Sequence, residues 1–112
     1  MIIDFDTVKI GDIIEAELDL AIRPETIQTK LMVVSLDPLG FSYNGKRAYD
    51  VELFVFGENE TVLYQTYDSK YYEWDSWDEG DDNVSSTYEC CLSQDEDGNV
   101  YHRRIRFIGK AT

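Results

Sequence analysis

Positive charge is what this chain has least of. Its 112 residues carry 10 lysines and arginines against 23 aspartates and glutamates, with a formal net charge of −13. Contacts to phosphate need Lys and Arg, so direct binding to nucleic acid or to an anionic membrane is disfavoured. Histidine is scarcer still, with His102 alone. No nucleophile–base–orienter set can be built on it, and no Gly-x-Ser-x-Gly or catalytic-cysteine signature is present. The 7 glycines stand singly at turns, so a phosphate-cradling loop is absent. No enzyme is expected, and no cofactor.

The only cysteines, Cys90 and Cys91, are neighbours. On a strand they point to opposite faces, and a disulfide between them would strain the backbone. The expectation is therefore free thiols in a reducing compartment, and a poor zinc site. The acidic stretches also lack calcium-loop spacing. Gly98 comes before Asn99 rather than after it, and no distal Glu follows. No uncharged run is long enough to span a membrane. The opening MIIDFDTVKIGD has neither the basic nor the long apolar region of a secretory signal. These absences together predict a cytoplasmic protein without a membrane partner or metal.

What is present is alternation. The chain is 43% hydrophobic and 13% aromatic, enough for one domain, residues 1–112, with a real core. In residues 13–22, Ile14, Ala16, Leu18, Leu20 and Ile22 fall on one face, and Glu15, Glu17 and Asp19 on the other. That period of two predicts a half-buried strand. Further strands are predicted over 27–36, 41–43, 47–56, 61–67, 87–93 and 100–108. Asp37-Pro38-Leu39-Gly40 reads as a turn and Asn44-Gly45 as a hairpin. Tyr101, Ile105 and Phe107 are expected on one face of the last strand, and His102, Arg104 and Arg106 on the other. Residues 68–85 show no clear period and have room for one short helix. The fold class is all-β: a small antiparallel barrel or sandwich of about six strands, SH3-like or OB-like.

The charges are unevenly placed. Arg103, Arg104, Arg106 and Lys110 lie in the last ten residues, where they are expected to neutralise acidic neighbours across the sheet. Acids concentrate in YYEWDSWDEGDDNVSS, residues 71–86, among the aromatics Tyr71, Tyr72, Trp74 and Trp77. Carboxylates recurring along a strand are about 6.6–7 Å apart, a length on the scale of phosphate spacing in nucleic acid. In size and charge alone the chain resembles small acidic proteins of bacteriophages and mobile elements that block DNA-binding enzymes. The resulting expectation is a non-enzymatic, DNA-mimic-like inhibitor. Its partner would be a basic nucleic-acid-binding protein, such as a restriction or CRISPR nuclease, in the cytoplasm of the host cell. Glu73, Asp75, Asp78, Glu79, Asp81 and Asp82 would replace phosphates, Trp74 and Trp77 would anchor, and Glu15, Glu17 and Asp19 would extend the footprint. Two other readings compete. One is a structural or assembly β-barrel, such as a phage accessory protein, whose acidity serves solubility. The other is an enzyme or ligand-binding barrel with a carboxylate site.

Overall fold

A computed structural model describes residues 3–19, 26–43, 45–72 and 84–111, without the side chains of residues 26, 70–72 and 84–87. The strands are β1 (Ile13–Asp19), β2 (Thr26–Tyr43), β3 (Lys46–Val55), β4 (Glu60–Gln65), β5 (Lys70–Tyr72), β6 (Val84–Gln94) and β7 (Val100–Lys110). All pairings are antiparallel. Each long strand lies beside its neighbours in sequence, in the order β4-β3-β2-β1-β7-β6. Contact of β4 with β6, at Leu63 opposite Leu92, closes the six strands into a barrel. Short β5 pairs with the first half of β6, Lys70 opposite Glu89 and Tyr72 opposite Val84.

The interior follows from the period-two pattern. Ile14, Ala16 and Leu18 of β1 are fully buried, as are Val51, Leu53 and Val55 of β3, and Tyr49 nearly so. Leu31, Val33, Val62, Ile105 and Phe107 complete the apolar centre. Branched and aromatic side chains fit this pleated, enclosed surface. Leu20 and Ile22 of the first predicted strand lie outside the described residues, and β1 itself ends at Asp19.

In two places the chain departs from the expected elements. Asp37-Pro38-Leu39-Gly40 is not a turn. β2 runs through it, pairing Pro38 with Tyr49, then slips register before Ser42 meets Arg47. Gly40 takes φ +83° there, and such a left-handed residue lets a strand bulge without turning back. Proline is tolerated because this stretch lies beyond the part of β2 that β1 covers, which ends at Met32. The chain reverses between Tyr43 and Lys46, which pair with each other, and Gly45 there takes φ +77°; Asn44 of the predicted hairpin lies outside the described residues. The second departure is residues 68–85. Their described parts hold β5 and the start of β6 and no helix. Residues 73–83 lie outside the described set. Among the described residues no helix is long and apolar enough to cross a membrane.

Candidate functional site

The two ends of the barrel are polar in different ways, and the cause lies in β6 and β7. In β6 the inward face is Glu89, Cys91 and Ser93, while Tyr88 and Leu92 face away from it. In β7 the inward face is Arg103, Ile105 and Phe107. Arg103 therefore shares the face expected for Tyr101, Ile105 and Phe107 and is 2% exposed.

Arg103 plugs one end. Its Nε donates to the Asp19 carbonyl at 2.8 Å, and Nη2 donates to the same oxygen. Nη2 also donates to Glu58 Oε1 at 3.0 Å, with Oε2 at 2.9 Å but unaligned for a bond of its own. Nη1 reaches Glu60 and, at 3.4 Å, the Ser93 hydroxyl. Burial, then the neighbouring Glu58, hold the Glu60 carboxyl above its ordinary pKa despite Arg103.

The other β7 bases face outward onto acids. Arg104 Nε pairs with Asp19 at 2.9 Å, Arg106 with Glu17 at 2.5 Å and Lys110 with Asp12 at 3.0 Å. Backbone N–H donation from Lys9, then Lys110, keeps Asp12 below its ordinary pKa. The Tyr88 ring lies beneath both arginines, 5.2 Å from Arg104 and 5.8 Å from Arg106, and its hydroxyl donates to Glu17 at 3.3 Å. The neutralising role expected of the C-terminal bases is thus what their geometry provides. Glu17 and Asp19 are consequently engaged within the sheet. Of the β1 acids expected in a partner footprint, Glu15, opposite Lys30 in register, is the one without an ion pair among the described residues.

The opposite end holds a cleft of about 470 Å³. Its floor is aromatic. Phe107 meets Tyr64 edge-on at 4.9 Å and Phe5 at 6.0 Å, so residues 3–8 are strapped across the barrel mouth. Its walls carry carboxylates already bound by hydroxyls. The Tyr64 hydroxyl donates to Glu89 Oε1 at 2.5 Å and Ser69 to the same oxygen at 3.0 Å. Across the cleft, the Tyr49 hydroxyl donates to Asp6 Oδ1 at 2.6 Å. Lys46, Arg47 and Tyr43, on the β2–β3 hairpin, are exposed and form one rim, and Tyr67, Asp68 and Ser69 form another. Phe41 extends the rim, its ring edge-on to Tyr67 at 5.3 Å.

These hydroxyls are held protonated. Burial, then the charge of Glu89, push the Tyr64 hydroxyl far above its ordinary 10.0. The bond to Asp6 raises Tyr49, and burial followed by Asp50 raises Tyr67. A folded-state pKa above the unfolded value means that the native chain holds a proton which the unfolded chain releases. Stability is then intact below about pH 10 and falls as pH rises beyond it. A pH series of chemical denaturation will show this decline. Absorbance of tyrosinate will gain the Tyr64 contribution only as the chain unfolds.

The predicted anchors and phosphate substitutes Glu73, Trp74, Asp75, Trp77, Asp78, Glu79, Asp81 and Asp82 lie outside the described residues. Their attachment points are described. β5 leaves the cleft rim at Ser69, and Tyr72 opposite Val84 brackets the segment at both ends. Reading by sequence missed the cleft because Glu89 sits in a strand whose inward face is polar and whose outward face holds Tyr88 and Leu92. It also missed a contact between Cys90 Sγ and His102 Nδ1, at 2.9 Å across β6 and β7. Cys91 is in the core, and burial pushes its thiol up to about 12. The turn at Asp95–Asn99 uses Asp95 Oδ1 to accept from the Asp97 and Asn99 amides at 3.0 and 2.8 Å. No group of three potential metal ligands occurs among the described residues.

Compared with protein-family models, with curated proteins and with solved structures, the chain matches none.

Proposed function

We propose that this barrel is a non-enzymatic inhibitor that presents carboxylates and aromatics to the basic groove of a nucleic-acid-binding protein, in the place of phosphates. One observation carries the reading. The bases of β7 are committed to Glu58, Glu60, Asp19, Glu17 and Asp12, whereas the stretch of sequence between the paired Tyr72 and Val84 carries six acids and no base. The bases of β7 are thereby spent within the barrel, and residues 73–82 supply none of their own. Glu73, Asp75, Asp78, Glu79, Asp81 and Asp82 act as phosphate substitutes, with Glu15 as an outlier on β1. Trp74 and Trp77 offer ring faces on which a partner's arginines stack. Such a partner works on nucleic acid, as a restriction or CRISPR nuclease does, which places the inhibitor in the host cytoplasm with it. A phage or mobile-element source suits that role.

The test is capture from a host lysate on immobilised protein, with duplex DNA as competitor. A basic nuclease retained at low salt and released by DNA supports the proposal. Retention that excess DNA leaves unchanged contradicts it, because a phosphate substitute and phosphate must compete for one groove.

A further inference from the structure

The cleft has a chemistry of its own. Three of its hydroxyls are spent: Tyr49 on Asp6, and Tyr64 and Ser69 on Glu89. Each carboxylate takes these bonds on one oxygen, Oδ1 of Asp6 and Oε1 of Glu89, and no described group donates to the other. Asp4 and Asp68 add two further carboxylates to the lining. The walls thus accept hydrogen bonds and have few left to donate. The donors that remain are Lys46 and Arg47, on the exposed hairpin tip at the rim, and the hydroxyls of Tyr43 and Thr66. Aromatic rings of Tyr43 and Tyr67 flank the opening, and Tyr43 is 48% exposed. A volume of about 470 Å³ is in the range of small-ligand sites and exceeds what one side chain needs.

We infer that the cleft is a receptor for a guanidinium group, and that in the complex it takes an arginine side chain of the partner. A guanidinium is the ligand that matches all three features. It only donates, its planar fork suits a carboxylate whose second oxygen no described group occupies, and its face stacks on tyrosine. A neutral sugar would meet the rings but bring acceptors to walls already rich in them. An anion would meet the four carboxylates of Asp4, Asp6, Asp68 and Glu89 against the two cations of the rim, Lys46 and Arg47. The inference rests on the proposed function for its partner, but the site itself can be tested without one.

The probe is N-acetylarginine amide, titrated into the whole chain by NMR, with N-acetylcitrulline amide as its uncharged isostere. Shifts will concentrate at Tyr64, Ser69 and Glu89, and the citrulline compound will bind at least about tenfold more weakly. Glu89→Gln will weaken arginine binding by about ten- to a hundredfold, the scale of a charged hydrogen bond. Asp68→Asn, at the exposed rim where the fold does not depend on it, will weaken it by about two- to fivefold. Arg47→Gln will tighten it by about the same factor, because it removes a like charge. Equal binding of the two compounds overturns the inference, as does preference for maltose, or an Arg47→Gln change that loosens binding. Partner capture reads the other proposal separately. If the amide binds while DNA fails to displace any captured partner, the cleft stands and the phosphate-substitute reading falls. If the reverse holds, the cleft inference alone fails.

Discussion

Replacing Arg103 with methionine will cost the fold about 3 kcal/mol, toward the low end of the 3–5 kcal/mol known for breaking a buried ion pair. The reason is what the arginine leaves behind. Glu58 and Glu60 both point at it, and the Asp19 carbonyl and Ser93 hydroxyl share its donors. Without it two carboxylates face each other at a closed barrel end. The low end applies because the Glu58 and Glu60 side chains keep 19% and 33% of their exposure, so water can relax part of the repulsion. In thermal unfolding the loss will read as a fall in Tm of about 10–20 °C. Adding Glu58→Gln and Glu60→Gln will recover much of it. The three changes will therefore be non-additive by about 1 kcal/mol or more, as expected for one network. An Arg103→Met chain as stable as the parent would mean that the plug does not hold the barrel end.

At the other end, Phe107→Ala will cost about 3–5 kcal/mol, the range for deleting a buried phenyl ring. Phe107 is 5% exposed and meets both Tyr64 and Phe5. Its loss removes the ring against which Tyr64 and Phe5, both lining the cleft, are packed. Phe107→Leu keeps most of the volume and will stay within about 1.5 kcal/mol of the parent. Denaturant unfolding of both variants, with hydrogen exchange at Thr7 and Val8, whose amides donate to the Asp4 and Phe5 carbonyls, separates the two consequences. If exchange at these residues stays slow in Phe107→Ala, the strap is held by something other than the aromatic cluster.

How much of this was legible in the sequence varies with how strictly a strand obeys one pattern. β1 is plain, because Ile14, Ala16 and Leu18 alternate with Glu15, Glu17 and Asp19 and burial agrees. The same clarity gave β3 and the Asn44-Gly45 reversal. β2 was read as two pieces because Pro38 and Gly40 carry the chemistry of a turn, and a bulge uses that same chemistry without reversing the chain. Arg103 was invisible as an interior residue, since only the convergence of Glu58, Glu60, Asp19 and Ser93 from four other segments makes its burial tolerable. Glu89 was hidden in the same way: no local rule turns the glutamate of Tyr-Glu-Cys-Cys inward. It faces in because Tyr64 and Ser69 wait there with hydroxyls. The outward ion pairs of Arg104 and Arg106 were readable in kind from charge placement. Their cost to the expected footprint, the engagement of Asp19 and Glu17, needed the register of β1 against β7.

The acids of residues 73–82 carry the central claim, and one measurement addresses it most directly. The captured partner's affinity is followed as a function of salt for the parent chain and for the variant Asp78→Asn, Glu79→Gln, Asp81→Asn, Asp82→Asn. The four substitutions alter none of the described residues of the core or of the two polar ends. Charge–charge contacts release or exclude ions, so the parent complex will weaken steeply with salt, in the manner of a protein on phosphates. The variant will bind at least about a hundredfold more weakly at low salt, with a much shallower slope. Equal affinity and equal slope for the two chains would contradict the account.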